Sequence, residues 1–65
     1  MQPQLKDEVV ARIEDGGVIV ERRGVIVGRS ITGRDNIRYD VYFPDSKDPT
    51  KRFAINLEAK NVRLP

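Results

Sequence analysis

Between positions 22 and 38 the chain carries five arginines, Arg22, Arg23, Arg29, Arg34 and Arg38, against one acid, Asp35. The planar guanidinium fork suits phosphate and carboxylate. With Arg22 and Arg23 at a hairpin tip and Arg29 and Arg38 on neighbouring strands, these side chains form a stripe that touches several phosphates at once. Tyr42 shares an alternating register with Arg38 and Asp40, which sets one aromatic plane beside the charges for a base to stack on. The expectation is a small module that binds DNA or RNA through its phosphate backbone. The plainer reading is a solvated face, with the arginines paired across strands to Glu21, Asp35 and Asp40, each pair contributing little.

Other chemistry is sparse. Ser30 and Ser46 have no histidine to activate them, no CxxC or HExxH occurs, and the glycines fit neither a P-loop nor a dinucleotide fingerprint. The acid pairs Asp7-Glu8 and Glu14-Asp15 are adjacent, so on a strand their members point to opposite faces and make no acid/base dyad. With no cysteine and no histidine the usual zinc sites and any disulfide are excluded. The reading is therefore a non-enzyme with no cofactor and no metal.

A second surface competes with the arginines. Val18, Ile19 and Val20 are consecutive and apolar on both faces, more than one thin core buries. The outward half of that run is an interface candidate for another protein or for a second copy of the chain, since an exposed β edge otherwise invites pairing. Sixty-five residues make one small domain. A chain of this size buries only about 60% of its unfolded surface, and a homo-oligomer would add burial. Net charge is +2, from twelve bases and ten acids, too small to imply nucleic acid by itself. No apolar run approaches membrane-spanning length and the start has no apolar leader, so the expectation is a cytoplasmic protein with no membrane partner.

The elements that must position these residues read as strands. Residues 1 to 5 look like a flexible terminus, and residues 6 to 65 like a single domain. Val9 to Ile13 is a strand candidate, followed by the turn signal Glu14-Asp15-Gly16-Gly17. A helix over residues 4 to 14, with Leu5, Val9 and Ile13 at i, i+4 and i+8, competes, but β-branched content makes it marginal. The tetrad Gly-Val-Ile-Val occurs at 17 to 20 and again at 24 to 27, with Glu21-Arg22-Arg23 between. The two copies are expected to fold back on each other, with Gly28 a bulge or close-approach point.

After a loop at residues 32 to 36, Ile37 to Phe43 alternates strictly, with Ile37, Tyr39, Val41 and Phe43 facing in. Two prolines make residues 44 to 50 a loop. Phe53, Ile55 and Leu57 then alternate with Arg52, Ala54 and Asn56, which predicts a strand burying the first three. Residues 58 to 61 fit one turn of 3-10 helix leading to a last strand at Val62 to Leu64. The fold class is all-β, with five to six short antiparallel strands.

Such a layout, over residues 6 to 64 and with Asn56-Leu57-Glu58-Ala59-Lys60-Asn61-Val62-Arg63-Leu64 at its end, resembles an SH3-like barrel. That architecture hosts peptide binders, Tudor-type and KOW-type modules, DNA-coating proteins and an enzyme, so it implies no single function. The enzyme is the plasmid-encoded type II dihydrofolate reductase. Gly24-Val25-Ile26-Val27-Gly28, Tyr39-Asp40-Val41, and Ile55 followed by the Leu-Glu-Ala turn are similar to it in order and spacing. The family lines one pore of a homotetramer with Val-Gln-Ile-Tyr, where this chain has Phe53-Ala54-Ile55-Asn56. Only Ile55 agrees, and the glutamine and tyrosine that meet pterin and nicotinamide are missing. The resemblance therefore implies a shared barrel rather than shared catalysis, and a divergent reductase is a remote alternative.

Overall fold

Gly16 and Gly17, with φ of 60° and 83°, turn the chain back between two strands, a conformation that other residues adopt at a steric cost. The computed structural model describes residues 2 to 65. The strands are β1 Glu8–Asp15, β2 Val18–Ile31, β3 Ile37–Tyr42, β4 Phe53–Glu58 and β5 Val62–Arg63. They form one antiparallel sheet in the order β4-β3-β2-β1-β5. Among the described residues there is no α-helix, and none long and apolar enough to cross a membrane. The helical alternative for residues 4 to 14 gives way to β1, whose Val9 and Ala11 are fully buried against β2.

The two Gly-Val-Ile-Val copies do not fold back on each other. Val18 to Val20 of the first and all of the second lie on β2, which runs unbroken from Val18 to Ile31, and Arg22 and Arg23 pair with Ala11 and Val10 rather than sitting at a hairpin tip. The turn has already been made at Gly16-Gly17. Gly24 serves a different need, because a Cβ there would lie 2.5 Å from Val41 Cγ1, 2.7 Å from the Tyr42 carbonyl and 2.9 Å from Phe43 Cδ1. Only a residue without a side chain lets β2 approach β3 that closely.

Strict alternation on β3 holds as expected, with Ile37, Tyr39, Val41 and Phe43 all buried. They join Val9, Ala11, Ile26 and Val62 in one core, and Ile13, Ala54, Leu57 and Leu64 pack against it. The buried Tyr39 hydroxyl needs a partner and donates to the Pro3 carbonyl at 3.2 Å. Pro3, in a stretch that offered no periodic burial in sequence, is thereby seated. Pro3 is buried, and Lys6 and Asp7 exchange backbone bonds of 2.9 and 3.0 Å with Ile26.

Asp40 sits where both neighbours of β3 slip register, between Ile26 and Gly28 on β2 and between Ala54 and Leu57 on β4. Its carboxylate accepts the Asn56 N–H at 2.8 Å, and Asn56 adopts a φ of 62°, a left-handed conformation that asparagine tolerates. The slip reverses the facing of β4. Ala54 and Leu57 pack against the core, while Phe53 and Ile55, expected inside, are 56% and 74% exposed. The turn of 3-10 helix expected before β5 is present at Ala59–Asn61, and a further turn, Pro49–Lys51, lies within the loop before β4, capped by Asp48.

Candidate binding groove

An open groove of about 890 Å3 lies between the turn end of the β1–β2 hairpin and the strand β4, with both 3-10 turns along its margin. Each wall follows from local sequence. The hairpin outruns the core, so Ile19 stays 57% exposed. The β4 slip at Asn56 turns Phe53 and Ile55 outwards. The floor is Ile13, Phe43 and Leu57, which belong to the core or pack on it.

Arg22 is half-buried here. It lies opposite the buried Ala11, on the face of β2 that points to the core. Its guanidinium carbon stands 4.7 Å from the centre of the Phe43 ring, and Nη1 donates to the Lys51 carbonyl at 3.5 Å. A cation over an aromatic face at a half-buried site contributes about 0.5–2 kcal/mol. The Lys51 ammonium donates to Asp15 Oδ1 at 2.9 Å, tying the first 3-10 turn to the hairpin. That hydrogen bond and the carboxylate charge raise the Lys51 pKa above its ordinary 10.5. Asp48 caps the same turn by accepting from the Thr50 hydroxyl at 2.7 Å and the Thr50 N–H at 2.9 Å, and both bonds hold its carboxyl below the usual 3.8.

The cations lining the groove are Arg12, Arg22, Lys51 and Lys60, against the acids Glu14 and Asp15. Lys51 is paired with Asp15, and Lys60 with Glu58 at 3.5 Å. Arg12 and Arg22 have no ion-pair partner among the described residues. The outer rim adds a tilted aromatic pair, Tyr42 and Phe53, with ring centres 5.1 Å apart.

The arginines do not form the expected stripe. Arg22 and Arg23 are adjacent on one strand and point to opposite faces. Arg23 pairs with Glu8 at 3.2 Å on the outer surface, not with the acids expected to partner the arginines: Glu21 pairs with Arg63 at 2.6 Å and Asp40 accepts the Asn56 N–H. Arg29 stands seven residues from Arg22, about 23 Å along the strand, and donates to the Gln2 side chain at 3.3 Å. Arg34 is exposed in the loop after β2, and Arg38 donates to the Asn56 carbonyl at 3.4 Å on the outer face. Tyr42 does take the outward register, half-buried beside Phe53. Of the apolar triplet, Val18 and Ile19 are exposed and Val20 is half-buried opposite Ile13.

Phe53, Ile55 and Lys51 are the groove residues that alternation did not reveal. Asn56 was the available signal, since a residue that favours left-handed turns interrupts an otherwise apolar strand. Among the described residues no group of three or more Asp or Glu is gathered as a metal ion would need. The chain matches no protein-family model, no curated protein and no solved structure.

Proposed function

We propose that this chain is a non-catalytic protein-interaction module of SH3-like architecture, which binds its partner in the groove between the β1–β2 hairpin and β4. Support for the architecture comes from the sheet order β4-β3-β2-β1-β5, the bulged β2 shared along its length by two partners, and the 3-10 turn that delivers β5 back to β1. The observation that carries the functional reading is the convergence of exposed Ile19, Phe53 and Ile55 on one concave surface. Large apolar side chains gathered in this way mark interaction sites. The reductase alternative is not favoured, because Ala54 and Asn56 occupy the positions of its ligand-contacting glutamine and tyrosine.

Nucleic acid stays as a second reading on one observation. The exposed Phe53 ring is backed by Tyr42 and shares the groove with Arg22 and Lys51, which would let a base stack while phosphates meet the cations. This moves the site from the arginine stripe to the groove.

The test is selection from a library of short random peptides on the immobilised chain, followed by affinity measurement against Ile55→Asp and Phe53→Ser. Enriched peptides should lose about tenfold or more in affinity on either substitution. No enrichment, or binding indifferent to both substitutions, refutes the groove. A single-stranded oligonucleotide that shifts the same amides, and weakens as salt rises, would transfer the site to nucleic acid.

A further inference from the structure

Strand β4 ends the sheet, with β3 on one side and no strand on the other. The Phe43 amide donates to the Arg52 carbonyl at 2.7 Å, which makes that pair a hydrogen-bonded one. In an antiparallel ladder bonded and unbonded pairs alternate. Ala54 opposite Val41 is then bonded, Phe53 opposite Tyr42 is not, and the N–H and C=O of Phe53 and Ile55 point away from β3 towards the groove. The stretch is short, because the left-handed Asn56 breaks the edge immediately after Ile55.

From this geometry we infer that the groove takes an extended acidic peptide, which adds to the sheet as a strand along Phe53 to Ile55. The inference rests on the groove being the binding site. Main-chain bonds to Phe53 and Ile55 fix the peptide, alternate apolar side chains meet Phe53 and Ile55, and its acids meet Arg22, a groove cation with no ion-pair partner among the described residues. Four cations against two acids on the lining select acidic over basic flanks. A second copy of the chain suits the site less well. Pairing β4 with β4 so that Phe53 faces Ile55 of the other copy sets Arg52 opposite Asn56, which places a left-handed break at both ends of the paired stretch.

The probe is a short synthetic peptide of alternating valine and threonine with aspartate and glutamate at both ends, compared with the same peptide ended by lysines. Ile55→Pro removes the outward N–H at an edge position that tolerates proline, and Ile55→Thr retains that N–H while trimming the side chain. Amide spectra of both variants report whether they fold. The acidic peptide should bind about tenfold tighter than the lysine-ended one and slow hydrogen exchange at the Phe53 and Ile55 amides. Ile55→Pro should weaken it about tenfold or more, and Ile55→Thr by less than about threefold. If groove amides shift while those of Phe53 and Ile55 stay unprotected, or if Ile55→Pro binds as well as the parent, strand addition is overturned and the groove reading stands. No shift with the acidic peptide also overturns strand addition, and the library selection then decides the groove separately. Protection of β4 in the free protein together with a dimer in light scattering would assign the edge to a second copy and overturn the inference.

Discussion

Replacing Gly24 with alanine tests whether β2 needs a bare backbone where it crosses the core. The added Cβ would meet Val41 Cγ1 at 2.5 Å, the Tyr42 carbonyl oxygen at 2.7 Å and Phe43 Cδ1 at 2.9 Å. Val41 and Phe43 are essentially fully buried, so neither side chain has solvent to move into, and the carbonyl moves only if β3 moves. Overpacking of a filled core costs about 1–3 kcal/mol, and three simultaneous clashes belong at the upper end. At about 0.05–0.15 kcal/mol per residue, a chain of 65 residues has roughly 3–10 kcal/mol of stability. Gly24→Ala should therefore remove about 3 kcal/mol, a large part of the total. Urea unfolding followed by circular dichroism measures it, with the midpoint falling by about 3 M for a slope near 1 kcal/mol/M. The comparison is Gly16→Ala, where the Cβ enters open space and only the φ of 60° is penalised, by about 1–2 kcal/mol. A Gly24→Ala loss no larger than that of Gly16→Ala would refute the close approach.

Other outcomes follow from single contacts. Asp40→Ala leaves the Asn56 N–H without its acceptor and should cost about 1–3 kcal/mol in urea unfolding, with the largest amide shifts at residues 54 to 57. Tyr39→Phe keeps the buried ring but removes the bond to Pro3, so a loss of about 1 kcal/mol and faster exchange at the Lys6 amide are expected. Asp48 has a depressed pKa, so its support of the first 3-10 turn is present above pH 3.8 and is lost as pH falls through its lower folded value. Lys51 has a raised pKa, so its tie to Asp15 is present below pH 10.5 and is lost as pH rises through its higher folded value. The Thr50 amide, followed across pH, should stay level above pH 3.8, and the Lys51 side-chain resonances should stay level below pH 10.5, each moving only beyond its limit.

Much of the fold was legible because its pattern is local. Ile37 to Phe43 alternates without interruption, and the structure buries every second residue from Ile37. Gly16-Gly17 announces its turn by composition, and Ala59 to Asn61 its helical step by length. What the sequence hid was set by contacts between strands. Arg22-Arg23-Gly24 looks like a break because glycine usually marks one, yet Gly24 is required by the approach of Val41 and Phe43, residues seventeen and nineteen positions away. Phe53 and Ile55 look like core because alternation is the default, yet one slip at Asn56, held by Asp40 on the adjacent strand, turns them to solvent. The arginines cluster in sequence and scatter in space because neighbours on a strand face opposite ways. The groove was visible only through Ile19 and became complete when β4 supplied the opposite wall.

The most direct test maps a selected peptide onto the assigned amide spectrum of the full chain. Shifts concentrated at residues 12 to 22 and 50 to 61, around Ile19, Arg22, Phe53 and Ile55, are the predicted result. Shifts centred on Arg23, Arg34 and Arg38, with the groove unmoved, would contradict it.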